Sequence, residues 1–294
     1  MSTATAAVAA PTRAETVRTL ALMEARRYAR HPLFLLGIAL MAWFTLVITK
    51  DLAQDTADDT IGVVDATFLP ALLLGLTGVV VGLQLTRSMS TSAESVEASP
   101  TDGVARTTAL CLASLVPGVV TAVWLVWLYV VENVWPNYAE AAVSARDLAA
   151  IHAAGLVCAV GGPLFGVMVG RWTQFPGAGL LAVVVLYGWV MLSSGGLALP
   201  ASRLASLAHL NAPFVGWISS DDSSHMNPWI AGGSPLWHLA YAALLCGVAA
   251  TAAMLHDARG TQRSRLIRIF SAFAVLALVS LALAALADPT RTPL

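Results

Sequence analysis

The chain has 294 residues, of which 57% are hydrophobic and only 11% charged, with mean hydropathy +0.74 and net charge −1. Soluble domains carry about 25% charged residues, so this chain lacks the polar surface that a globule in water needs. Its near-neutral balance also excludes the basic face of a nucleic-acid-binding protein. Fifteen arginines stand against a single lysine, Lys50, and alanine is abundant, the usage of a GC-rich bacterial genome. Cys111, Cys158 and Cys246 each fall inside an apolar run. An odd number of cysteines at scattered positions argues for small apolar packers, not for a disulfide framework or a zinc cluster.

In chain order, residues 1–14 form a Ser/Thr/Ala tail without the apolar stretch of a secretory signal, and we expect it to be disordered. Glu15–His31 follows as a helix in which Val17, Leu20, Ala21, Ala25 and Tyr28 share one arc, interrupted by Glu24. Arg18, Arg26, Arg27 and Arg30 lie mostly opposite, the pattern of a helix in the headgroup plane. Pro32 supplies the break that turns the chain into the bilayer. About 20 apolar residues cross a bilayer core of about 30 Å. By that length, spans are expected at Leu33–Thr49, Phe68–Leu85, Leu110–Val131, Leu148–Val169, Ala178–Leu199, Leu236–Leu255 and Ile267–Ala287. The expected fold is therefore an all-α polytopic bundle of six helices with a seventh, C-terminal span.

Arginine and lysine set the orientation. With the N-terminus inside, twelve fall in internal segments and four (Lys50, Arg146, Arg203, Arg291) in external ones. That choice puts the polar interval Thr86–Ala109, with Glu94, Glu97 and Asp102 between Arg87 and Arg106, in the cytoplasm. Ser92–Ser99 contains no glycine or proline and can form a short helix ending before Pro100, or remain a solvated loop. Residues 200–235 form the longest external segment, read as short helices dipping into the outer leaflet. Residues 256–294 comprise a basic cytoplasmic loop, the seventh span and an external tail.

The chemistry-bearing residues are sparse. No G-x-x-x-x-G-K-[ST] phosphate loop exists, since Lys50 has no glycine pattern before it. His31, His152 and His238 read as interfacial residues, and Asp221, Asp222 and His225 as a polar turn in preference to a cation site. No catalytic triad and no metal site can be assembled, and no charge sits at mid-membrane where a proton relay would place one. Gly78 and Gly82, and Gly162, Gly166 and Gly170, repeat the G-x-x-x-G spacing that lets helices approach closely. They serve packing within one bundle or a dimer seam. Pro117 and Pro163 are candidate kinks.

An amphipathic entry helix, two spans and a cytoplasmic interval reading Glu94-x-Val96-x-x-Ser99-Pro100 resemble the membrane permeases of the ABC-transporter superfamily, in the class that exports polysaccharides and drugs. Ser88 and the absence of a bend glycine depart from the usual family pattern. The resemblance implies a coupling segment at 87–106 inside a six-span permease domain at 32–255. It would dock a separate cytoplasmic ATPase through Arg87, Glu94, Val96, Glu97, Ser99, Pro100 and Arg106. It also implies an entry helix carrying Arg26, Arg27, Tyr28, Arg30 and Pro32, and pairing with a second permease subunit, identical or related. On this reading the chain is a non-catalytic subunit in the bacterial cytoplasmic membrane, contacting lipids and no nucleic acid. ATP and magnesium bind the partner ATPase, and an amphipathic or hydrophobic substrate moves outward. A carrier without an ATPase, or an anchoring protein of another complex, is the competing class.

Overall fold

The computed structural model describes residues 12–52, 68–91, 102–130, 144–173, 175–194, 203–215, 217–220, 228–230, 233–287 and 292–293. Helix α1 (Arg13–Ala29) starts two residues before the expected Glu15, because Thr12 and Glu15 form a reciprocal capping box: the Glu15 amide donates to Thr12 Oγ1 and the Thr12 amide donates to Glu15 Oε2. The chain then bends by 59° into α2 (Pro32–Leu52), with Pro32 at the first helical turn, where its missing N–H costs nothing. A π-helical stretch, Pro70–Leu76, runs directly into α3 (Thr77–Thr91).

α3 outlasts the expected span end at Leu85, and α4 (Gly103–Ala113) begins well before the expected Leu110. Thr and Ser residues that read as loop are accommodated in helix with their hydroxyls satisfied by carbonyls of the preceding turn. Thr86 donates to the Gly82 carbonyl at 2.7 Å and Thr108 to the Val104 carbonyl at 2.7 Å. Asp102 caps α4. Of the polar interval, the described helices take in residues up to Thr91 and from Gly103, and 92–101 lie outside the described residues.

Helix α5 (Val116–Val130) continues α4 after a break at Ser114–Leu115, next to Pro117. Its Trp124 indole donates to Thr45 Oγ1 at 3.0 Å, which fastens it to α2. α6 (Ala145–Trp172) is capped by Ser144 and holds Pro163 inside it. α7 (Ala178–Ser194) has 17 residues, shorter than the expected Ala178–Leu199, of which 195–199 lie outside the described residues. It still connects the two ends of the molecule. Arg87 of α3 donates to the Pro176 carbonyl just before it, and its Ser193 carbonyl accepts from His209 at the far end.

The segment 200–235 corrects the expectation of helices alone. A short α8 (Arg203–Leu210) leads into a buried irregular loop, then a three-stranded antiparallel ribbon of β1 (Ile218–Ser220), β2 (Pro228–Ile230) and β3 (Thr292–Pro293). The ribbon pairs Ile218 with Ile230 and Trp229 with Pro293. α9 (Pro235–Asp257) and α10 (Gly260–Leu286) follow.

α3, α6 and α9 form the centre, and all three run the same way. Gly75 meets Cys158 and Ala159, and Gly170 meets Leu83 and Thr86, while Cys246 reaches the Val157 carbonyl and Trp172 the Ala252 carbonyl. A Cβ on Gly162 would stand 2.0 Å from the Gly75 carbonyl oxygen, and one on Gly166 would stand 2.1 Å from that of Val79. Gly82 lies against the Pro163 backbone, and Gly78 against the Pro163 ring and the Tyr28 hydroxyl. The glycine stripes therefore face each other inside one chain.

The outside of the bundle is apolar. On α5, Val119, Val123, Val126 and Val130 form one exposed stripe at helical spacing, and Leu180, Leu181, Val184 and Leu192 do so on α7. Bare aliphatic stripes of this extent belong in hydrocarbon. Among the described residues five helices are long and apolar enough to cross a membrane, or six if the bent α1–α2 pair counts as one. This is a polytopic helical membrane protein.

Candidate functional site

At one end of the bundle, side chains tie α1 to the two helices that flank residues 92–101. The inner arc of α1 is Val17, Leu20, Ala21, Glu24, Ala25 and Tyr28. Glu24 does not interrupt that arc. It is buried at its centre and pairs with Arg27 at 3.0 Å, and Arg27 also donates to Ser88 Oγ of α3 at 3.1 Å. Arg13 pairs with Asp102 at 3.0 Å across to the α4 cap, although both are exposed and such a pair adds little. The Glu15 carboxyl is held below its ordinary value by the Thr12 amide and hydroxyl. Tyr28 is fully enclosed and packs edge-on against Phe34 at 4.9 Å. Arg26, Arg30 and Pro32 are exposed. His31 accepts the Leu33 amide at Nδ1, so its Nε2 carries the proton that goes to Gln84 Oε1 at 2.8 Å.

Of the expected docking residues, Glu94, Val96, Glu97, Ser99 and Pro100 lie outside the described residues. Arg87 donates to the Pro176 and Phe175 carbonyls and so closes the turn between α6 and α7. Arg106 is 9% exposed and lies inside, near Arg171. With α4 starting at Gly103, position 106 falls on the face that packs against the bundle, so in this conformation Arg106 is no part of an outward docking face.

The same end contains a charge cluster that sequence reading missed. Asp257, at the end of α9, accepts from Thr107 of α4 at 2.5 Å, from His256 at 2.9 Å, and pairs with Arg171 of α6 at 3.5 Å. Gly103 packs on the Asp257 side chain, where an added Cβ would sit 3.2 Å away. Three helices meet at this one carboxylate. Arg171 and Asp257 are 86 positions apart and both stand at span ends, where arginine and aspartate are ordinary, so nothing in the sequence pairs them.

The opposite end is polar in a different way. His152 and His238, expected at the interface, are inside. His152 meets the Tyr129 hydroxyl at 2.5 Å, and His238 donates through Nε2 to the Ala212 carbonyl at 3.0 Å with Trp217 edge-on against it. Tyr241 donates to the Asn211 carbonyl and Cys158 to that of Pro213. These donors are what allow the irregular stretch 211–215 to be buried.

Between the two ends lies an apolar cavity of about 230 Å³. The π-helical stretch, α6, α7, α9 and the Pro213–Phe214 loop wall it, and π-helical turns often occur where a helix must open around a site. No charged side chain among the described residues reaches it. Among the described residues no three His, Cys, Asp or Glu side chains come together as metal ligands.

Comparison with known proteins finds no family model, no curated protein and no solved structure that matches this chain.

Proposed function

We propose that this chain is the membrane permease subunit of an ATP-driven exporter, oriented with its N-terminus in the cytoplasm and with α2 and α7 as further spans, seven in all. A separate ATPase docks on residues 92–101, and two permease subunits, identical or related, complete the transporter in a bacterial cytoplasmic membrane.

The observation that carries the reading is mechanical. The ends of α3 and α4, on either side of 92–101 in the chain, are each tied to other helices. Ser88 accepts from Arg27 of α1, while Thr107 and Gly103 bear on Asp257, which holds α9 and α6. A load applied to the segment therefore reaches α1, α6 and α9 without crossing a free joint. The match of Glu94, Val96, Ser99 and Pro100 to the spacing of a coupling helix gives that load a source.

The decisive experiment is affinity purification from the native host in mild detergent, with cross-linking before lysis, followed by mass spectrometry. A stoichiometric P-loop ATPase is the expected companion. A clean preparation without one overturns the reading and leaves an ATPase-independent carrier or anchoring protein. In the reconstituted complex, replacing Glu94 and Pro100 by alanine should abolish stimulation of ATP hydrolysis while the chain stays in the membrane.

A further inference from the structure

The cavity wall is almost wholly apolar, and three of its polar side-chain atoms are engaged elsewhere. Cys158 Sγ donates to the Pro213 carbonyl at 3.2 Å, Cys246 Sγ to the Val157 carbonyl at 3.6 Å, and the Trp189 indole to Asn211 Oδ1 at 2.5 Å. A polar group drawn into this space would lose its water and find no replacement partner. Water gains nothing there either, since a cavity without polar partners stays dry. The space takes hydrocarbon.

Its size and entrance narrow the class. At about 230 Å³ it exceeds the cavity of about 150 Å³ that accepts benzene in an engineered soluble core. Tyr187 and Trp189, on the two edges of α7 either side of the inward Leu186 and Val190, are the most exposed of its lining side chains, at 43% and 39%, so the cavity opens to the outside along the edges of α7. The outer face of α7 there is bare leucine and valine. An entrant therefore comes sideways out of the bilayer, and rings with a polar edge stand at the doorway, where an amphipathic molecule would leave its head.

We propose that the cavity is a lipid site that takes up one hydrocarbon chain of a membrane lipid past the edge of α7, with the headgroup left outside the bundle. The assignment does not rest on an ATPase partner.

The full-length protein, reconstituted in phosphatidylcholine nanodiscs, is irradiated with a trace of phosphatidylcholine bearing a diazirine midway along one acyl chain, and labelled peptides are mapped. Peptides containing Phe165, Leu186 and Leu245 should be labelled several-fold above the lipid-facing α5 stripe. Ala71→Phe and Ala242→Phe, which fill the cavity, should lower wall labelling to the α5 level and leave α5 unchanged. If both variants fail to fold, competition of the wild-type protein with tetradecane should lower wall labelling selectively. Equal labelling of wall and α5, or wall labelling that neither the variants nor the competitor reduce, overturns the site. No ATPase enters the assay, so its failure and the failure of the exporter reading are separate results.

Discussion

Gly162→Ala and Gly166→Ala test the seam at the centre of the bundle with the smallest possible addition. At Gly166 the new methyl would stand 2.1 Å from the Val79 carbonyl oxygen, where ordinary contact begins at 3.4 Å. Both nearest groups are backbone, so no side chain can swing aside and α3 and α6 must separate by about 1.3 Å at that level. Overpacking of this kind costs about 1–3 kcal/mol, and we expect the upper part of that range for each substitution. Because one separation of the helices relieves both clashes, the double variant should cost less than the sum. Gly188 on α7 is the internal control, since an added Cβ there meets nothing within 4 Å. Melting of the detergent-solubilised protein, followed by size-exclusion fluorescence, should fall by about 4–12 °C for either seam variant, taking about 2–4 °C per kcal/mol. Gly188→Ala should leave it unchanged or raised. Equal melting of all three variants would refute the backbone contact.

Two further perturbations probe the end that carries α1. Asp257→Asn removes the counter-charge of a partly buried arginine and should cost about 2–3 kcal/mol, less than the about 3–5 kcal/mol of a fully buried pair. Arg171→Met combined with Asp257→Asn should recover part of that loss, and a double variant as unstable as the sum of the singles would show that the two side chains do not interact. The Glu15 carboxyl has its folded value depressed by Thr12, so the stabilisation is present above its ordinary value of 4.5 and is lost as pH falls through the folded one. Protection factors of the Glu15 and Thr16 amides should fall on acidification below pH 4.5, an effect that is reduced in Thr12→Ala, which keeps the amide donor and loses the hydroxyl, and absent in Glu15→Gln.

The apolar interiors of the spans were legible because hydrocarbon solvent imposes a length and a composition on every crossing helix. The ends were not, for a reason visible at Thr86 and Thr108. A threonine hydroxyl that bonds the carbonyl four residues back is polar in composition and apolar in behaviour, so a hydropathy reading stops a helix that in fact continues. His152 and His238 failed similarly, since each sits near a span terminus in sequence yet faces a partner from a distant segment, Tyr129 or Ala212. The inner arc of α1 was read correctly except at Glu24, whose burial depends on Arg27 one turn later. The ribbon was missed because its strands are two or three residues long. The cavity could not be read at all. Its wall comes from five separated stretches, and an apolar wall residue looks in sequence like any other core residue.

The shared direction of α3, α6 and α9 has an electrical consequence. Each helix carries a dipole equivalent to about half an elementary charge at either terminus, negative at its C-terminal end. Within this triad the three C-terminal ends add locally, while the helices packed around it, α10 beside α9 among them, run the other way and offset the dipoles over the bundle as a whole. The triad's C-terminal ends gather at one pole, and that is where Arg87, Arg106 and Arg171 stand. The arginines at that pole offset the negative ends of the three central helices, and substituting them would leave those ends less compensated as well as removing the contacts there.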